Sequence, residues 1–177
     1  MTSSTKRTFS VRFALHGGRE GGFTLIEMLI VIAIAAILAA TAVPSFRTMN
    51  RNMAVRGAAD ELIAGVQFAR SEAARTNQTV SLLLKERTWQ VFIDSNGNRE
   101  PDNGEALLRE GIYSGLIDAQ TANLWLGFSP TGTTTLVSPG TFPLGICLGI
   151  TGDPSIQRQV LFPTRAASPV IQTSCSP

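Results

Sequence analysis

Residues 23–43 read FTLIEMLIVIAIAAILAATAV, an apolar run of 21 residues with a single charged side chain, Glu27. As an α-helix with a rise of about 1.5 Å per residue, the run extends roughly 30 Å, the thickness of the hydrocarbon layer of a bilayer. It therefore predicts a transmembrane helix. An ionised carboxylate inside such a helix costs on the order of 3 kcal/mol, so Glu27 is expected to have a function and a partner of opposite charge.

A short basic segment precedes the apolar run. Four basic residues and one acidic residue lie within the first 22 positions: Lys6, Arg7, Arg12, Arg19 and Glu20. The positive-inside rule predicts a cytoplasmic amino terminus and a carboxy-terminal body outside the cytoplasm. The alternative is an ordinary secretory signal peptide. It is disfavoured because the run is long, contains Glu27, and follows Gly21-Gly22 instead of preceding a small-x-small site.

The rest of the chain is nearly neutral and contains no histidine. The first 22 positions hold four of the 15 basic residues and one of the 13 acidic ones, which leaves 11 and 12. A strongly basic domain, typical of nucleic-acid binding, is therefore not indicated. Removal of the basic segment would also remove the only histidine, His16, and with it any Ser-His-Asp, Cys-His or His-zinc site. We predict no enzymatic activity, metal or cofactor; an exported hydrolase is the disfavoured alternative.

The two cysteines, Cys147 and Cys175, lie 28 residues apart near the carboxyl end. Two thiols without histidine cannot complete an ordinary zinc site. In a domain outside the cytoplasm they are expected to form a disulfide, with a reduced pair as the alternative. A closed loop of this length would contribute about 3 kcal/mol to stability and hold the terminal segment on a sheet.

Beyond Pro44 the sequence predicts that the helix continues to about Arg75. Apolar residues recur there at steps of three and four, the pattern of an amphipathic helix: Phe46, Met49, Met53, Leu62, Ile63, Val66, Ala69 and Ala73. Proline removes one backbone hydrogen bond, so Pro44 is expected to kink the helix. The arginines on the other faces are expected to be solvated or to contact other subunits: Arg47, Arg51, Arg56 and Arg70.

After Asn77 the pattern changes to short strands separated by Gly, Pro, Asn and Ser. Strands are predicted over residues 79–84, 88–93, 106–109, 123–128, 141–147, 159–162 and 169–173. In the first strand Val80, Leu82 and Leu84 are expected on one face, and Trp89 and Trp125 are expected in the core. The chain is therefore assigned to the α+β class, with a long amino-terminal helix packed on a small, mostly antiparallel sheet.

The run Gly22-Phe23-Thr24-Leu25-Ile26-Glu27 resembles the prepilin peptidase site of type IV pilins and type II secretion pseudopilins. The resemblance implies cleavage between Gly22 and Phe23, and methylation of the new terminal amine of Phe23. It also implies that Glu27 pairs with the terminal amine of a neighbouring subunit during assembly. Two charges that are costly alone in lipid are tolerated together. Pro44 stands where pilins place a helix-perturbing proline.

Four further runs resemble the GspH/FimT branch of minor pilins and minor pseudopilins: residues 89–94, 104–109, 127–132 and 140–147. The resemblance implies a long helix against a small β-sandwich-like domain. It implies a low-copy subunit near the filament tip that helps to initiate assembly, with a major pilin as the alternative. The implied partners are other pilin or pseudopilin subunits, the prepilin peptidase and an inner-membrane assembly platform.

The resulting organisation has four parts. Residues 1–22 are the predicted leader peptide, and residues 23–43 the transmembrane or filament-core helix. Residues 44–76 continue that helix, and residues 77–177 form a β-rich periplasmic domain. The predicted location is the bacterial inner membrane, crossed once, and afterwards the pilus or pseudopilus.

DNA uptake is the alternative function, carried by Arg158 and Arg165. Some FimT-type minor pilins bind DNA through a Gly-Arg-x-Arg motif in the carboxy-terminal tail. The corresponding stretch here, residues 162–168, reads FPTRAAS, with one arginine and no preceding glycine. Arg158 lies seven residues before Arg165, and two arginines neutralise only a couple of phosphates. Nucleic acid is therefore not the expected partner.

Residues 94–105, DSNGNREPDNGE, partly match a calcium-binding loop. Oxygen-bearing side chains stand at positions one, three, five, nine and twelve of the EF-hand template. The sixth position, which calls for glycine, is Arg99. We therefore predict an exposed loop between strands, with calcium binding as the alternative.

Overall fold

The computed structural model describes residues 22–119, 123–136 and 142–175. Two compact units divide the chain, one ending at Ala42 and the other beginning at Val43. Apart from Gly22, the predicted leader lies outside the described residues, and so does Thr141, the first residue of a predicted strand.

The amino-terminal helix α1 runs over Leu25–Thr76 and passes through Pro44 without a break in helical structure. The backbone N–H of Glu27 donates to Thr24 Oγ1 at 3.3 Å, so Thr24 caps the first turn. Asn77 follows the last turn with a φ of 54°, the left-handed conformation that commonly ends a helix. The kink at Pro44 stays a prediction.

The described residues after α1 form nine strands, paired antiparallel throughout. The strands are β1 (Val80–Leu84), β2 (Thr88–Ile93), β3 (Leu107–Ile112), β4 (Ile117–Ala119), β5 (Leu124–Phe128), β6 (Thr134–Leu136), β7 (Leu144–Ile150), β8 (Asp153–Phe162) and β9 (Val170–Gln172). One sheet has the order β3-β2-β1-β5-β6 and the other β4-β7-β8-β9. The predicted α+β class, with a long helix on antiparallel sheets, is confirmed.

Five strands differ from the prediction, among them β3 and β7, which each end three residues later than predicted. The short strands β4 and β6 were not predicted, and β8 begins at Asp153, six residues before the predicted start. The first half of β8 is polar and contains Pro154, a residue that is unfavourable inside a strand. The pairing with β7 shifts register between Asp153 and Gln157, and β9 pairs only with residues 159–161, so Pro154 lies in an irregular stretch where no partner needs its missing N–H.

One apolar core joins the second half of α1 to both sheets. Leu62 and Val66 of the helix, Leu82 and Leu126 of the first sheet, and Leu148 of the second are all fully buried in it. The apolar face of α1 contacts this core only from Ala54 onward. Three residues before it that were predicted on the apolar face are at least half exposed: Phe46, Met49 and Met53. Small helix residues let the strands approach closely, notably Gly65, where an added Cβ would lie 3.1 Å from the Trp89 ring.

The centre of the first sheet is buried on both faces, since every residue of β1 and β5 is buried, whereas the sequence predicted one apolar face for β1. Leu83, Phe92 and Trp125 form a second apolar cluster opposite the main core. Arg99 covers this cluster, with its guanidinium carbon 5.6 Å from the centroid of the Trp125 ring. Both tryptophans are buried as predicted, Trp89 at 1% exposure and Trp125 at 8%.

The predicted disulfide is confirmed. It joins Cys147 on β7 to Cys175 beyond β9, with a Cα–Cα distance of 5.7 Å. The carboxy-terminal segment is thereby tied to the middle of the second sheet.

Replacing both cysteines with alanine is expected to lower the free energy of unfolding by about 3 kcal/mol, because the unfolded chain regains the freedom of a loop of 28 residues. Denaturant unfolding of the full chain in detergent measures this difference. Reductant should lower the stability of the wild type by a similar amount and leave the double variant unchanged. An equal denaturation midpoint for both proteins would contradict the stabilising role.

Candidate functional site

The predicted cleavage site lies directly before the helix. Gly22 and Phe23 precede α1 and have no regular secondary structure. Phe23 is 78% exposed, and a Cβ added at Gly22 would have no neighbour within 4 Å. A peptide bond in an open, non-helical segment can enter a protease site without unfolding of the helix.

Glu27 lies in the first turn of α1, three residues after the capping residue Thr24. This Thr-x-x-Glu spacing is that of a capping box, which the sequence interpretation missed although the residues show it. A carboxylate here is also favoured by the positive end of the helix dipole. Within the described part of the chain, ion pairs join Arg51 to Asp153 and Arg75 to Glu72, and none involves Glu27.

The apolar run of α1 is exposed along its whole length in the single chain. Its large apolar side chains, from Phe23 to Val43, are at least 46% exposed. Such a continuous apolar surface indicates contact with a membrane or with other proteins. The helix is long and apolar enough to cross a bilayer.

Arg158 lies on β8, and its guanidinium contacts its own chain. It donates to the carbonyl oxygen of Gln157 at 2.8 Å, to that of Thr173 at 3.4 Å and to Asn52 Oδ1 at 3.4 Å. Arg165 lies beyond the end of β8, with its guanidinium carbon 6.0 Å from the centroid of the Phe142 ring. The two arginines share no contacting residue, and DNA binding by them stays an untested alternative.

Arg70 corrects the prediction of a solvated arginine face. Its Nη2 donates to Thr134 Oγ1 and to the carbonyl oxygen of Ala167, both at 2.9 Å, and its guanidinium lies over the Phe128 ring. Burial lowers the pKa of Arg70. Arg70 therefore fixes the segment after β8, which contains Arg165, to α1 and the first sheet.

The loop over residues 94–105 joins β2 to β3 and is mostly exposed, as predicted. Its carboxylates accept hydrogen bonds from within the loop and from β1. Asp94 accepts from the Gly97 N–H at 2.7 Å and from Ser81 Oγ at 3.1 Å, and Glu105 accepts from the Ser95 N–H at 2.8 Å. Among the described residues no cluster of three acidic, histidine or cysteine side chains is arranged to hold a metal ion.

Comparison with known proteins identifies two matching families. The family of the type II transport protein GspH matches residues 58–162, and the prokaryotic N-terminal methylation motif matches residues 18–43. The chain is 38% identical over 87 residues to the pilin-like protein PilA1 of Thermus thermophilus, covering 48% of this chain and 54% of that protein. It is 31% identical over 74 residues to the competence protein ComGD of Bacillus subtilis, covering 42% and 52%.

The chain thus spans about half the length of these curated relatives. Two crystal structures of the type IV minor pilin FimU of Pseudomonas aeruginosa are also similar, with TM-scores of 0.48 and 0.49 and identities of 20% and 21%. They cover 66% and 73% of this chain, and 91% and 92% of the FimU chains.

Proposed function

This chain belongs to the family of the type II transport protein GspH, and on that premise we propose that it acts as a minor pilin or pseudopilin that helps to initiate a filament or forms its tip. Its amino-terminal methylation motif supports processing and assembly of the pilin kind. The function proposed is structural: the apolar halves of the α1 helices bundle in the filament, and the β-rich body remains outside the bundle.

The start of α1 is the observation that carries this proposal. An exposed segment with the Gly22-Phe23 bond leads into a capped helix whose first turn holds Glu27, and Glu27 has no cation among the described residues. Cleavage after Gly22 would leave a positively charged amine at Phe23. In an apolar bundle the amine of one subunit and the Glu27 carboxylate of the next can neutralise each other, which removes the cost of burying either alone.

The proposed course begins in the bacterial inner membrane. The basic segment holds the amino terminus in the cytoplasm, the apolar run of α1 crosses the bilayer, and the body with its disulfide lies in the periplasm. The prepilin peptidase removes residues 1–22 and methylates Phe23. An inner-membrane assembly platform then moves the subunit into a filament beside other pilin or pseudopilin subunits.

Mass spectrometry of the mature protein tests the first step. Co-expressed with a prepilin peptidase, the chain is expected to begin at N-methylated Phe23. Gly22→Glu should leave an uncleaved precursor, because a charged side chain replaces the smallest residue at the cleaved bond. Gly21→Ala is the matched control and should be processed normally. A mature chain that begins at any other residue would refute the proposal.

A further inference from the structure

A groove of about 240 Å³ lies between α1 and the segment that joins β3 to β4. On the helix side it is lined by Ala54, Gly57 and Ala58, which lie on one face of α1 at spacings of three and four residues. The absence of large side chains there opens the space, and a Cβ added at Gly57 would have no neighbour within 4 Å. Its volume is therefore sufficient for one long side chain.

The opposite wall is apolar and continues to an exposed rim. Ile117 lines the groove and is 3% exposed, whereas Ile112 at the rim is 76% exposed. Leu116, in the same connecting segment, is 57% exposed. The apolar wall can contact the aliphatic stem of a side chain that enters the groove. The exposed apolar rim can contact the surface of the protein to which that side chain belongs.

Polar groups without partners lie among these apolar walls. Tyr113 lines the groove and is 3% exposed, and its hydroxyl oxygen is buried without a hydrogen-bond partner. Glu61, one turn beyond Gly57 on α1, also lines the groove and forms no ion pair within the described ranges. Burial, and after it the charge of Glu61, raise the pKa of Tyr113, so the hydroxyl stays protonated beside the carboxylate.

The chemistry of the groove identifies its occupant. Ala54, Gly57, Ile112 and Ile117 offer apolar contact, while Glu61 offers a negative charge. A lysine or arginine side chain has the matching form, an aliphatic stem with a cationic donor at its end. The chain's own Arg109 lies over the rings of Phe68 and Trp89 and does not line the groove.

We propose that this groove binds a lysine or arginine side chain of a neighbouring filament subunit, with the stem between α1 and the β3–β4 segment and the cation on Glu61. The inference rests on the proposed function, because the partner is a subunit of the same filament. It differs from the contact at Glu27, since the groove belongs to the β-rich body and not to the apolar run.

The first test uses butylguanidinium, a free copy of an arginine end, added to the full chain in detergent and followed by NMR. Saturable shifts are expected at Gly57, Ala58 and Tyr113. Butanol, with the same stem and no charge, should bind at least about tenfold more weakly, and Glu61→Gln should weaken butylguanidinium binding about tenfold. Glu72→Gln is the matched control, because Glu72 lies on the same helix and pairs with Arg75. Equal binding by wild type and Glu61→Gln would overturn the proposal.

The second test counts the subunit in purified filaments. Glu61→Gln is expected to lower its incorporation about tenfold, with normal processing and an unchanged melting temperature. Normal incorporation of Glu61→Gln would overturn the groove proposal and leave the proposed function intact. Absence of the wild-type chain from the filaments would refute the proposed function instead, and the butylguanidinium result would still decide whether the groove binds a cation.

Discussion

Replacing Gly111 with valine is expected to lower the free energy of unfolding of the β-rich body by about 3 kcal/mol, the upper end of what overpacking costs. Gly111 lies on β3 directly opposite Trp89 on β2. A Cβ at this position would overlap the edge of the Trp89 indole and would lie 2.6 Å from Glu61 Oε1. The indole cannot move away, because it is 1% exposed and its far edge packs on Gly65 of α1.

Denaturant unfolding of the full chain in detergent measures this loss. Gly57→Ala is the matched control: Gly57 is also a glycine at the surface of the body, but a Cβ there meets nothing. That variant should be about 1 kcal/mol more stable, because alanine is the better helix former. When Trp89 is first replaced by phenylalanine, Gly111→Val should lower the free energy of unfolding by less, because the smaller ring leaves room for the valine side chain. A Gly111→Val variant as stable as the wild type would show that Trp89 is not confined in this way.

Sequence reasoning predicted those elements whose pattern follows from local rules. The alternation in residues 79–84 and 88–93 predicted β1 and β2 to within one residue. The steps of three and four predicted the buried face of α1 around Leu62 and Val66. The sequence did not predict burial that depends on contacts with residues far away in the chain. Nothing near Leu83 or Phe92 indicates that Trp125 covers them on the second face of the sheet.

Arg70 and the short strands β4 and β6 show the same limit. Arg70 reads as a surface residue of an amphipathic helix, and only the fold brings Thr134 and Ala167 to its guanidinium. Strand β4 is too short to show an alternating pattern and exists because β7 offers a partner.

The candidate sites divide in a similar way. Gly22, Phe23 and Glu27 are adjacent in sequence, so a local motif could identify them. Glu61 lies on α1 and Tyr113 directly after β3, 52 positions apart, and neither belongs to a recognisable sequence motif. Their common groove depends on the packing of α1 against the end of β3, which local patterns do not encode.

Glu27→Ala is expected to reduce incorporation of the subunit into filaments by roughly 100-fold or more, while membrane insertion and cleavage after Gly22 remain normal. Removing one partner of a buried ion pair costs about 3–5 kcal/mol, because the other charge stays buried without compensation. The charge left behind here would be the terminal amine of a neighbouring Phe23. Quantitative mass spectrometry of sheared filaments, relative to the processed protein in the membrane, gives the incorporated fraction.

Two further variants separate pairing from helix capping, since Glu27 also stands in a capping-box position after Thr24. Glu27→Gln keeps a side chain that can cap but carries no charge, so it should fail in assembly as Glu27→Ala does. Thr24→Ala removes the capping hydroxyl and keeps the charge; it should cost about 1 kcal/mol of helix stability and leave incorporation within roughly tenfold of the wild type. The opposite order, with Glu27→Gln normal and Thr24→Ala defective, would mean that the first turn needs a cap and that no charge pair forms between subunits.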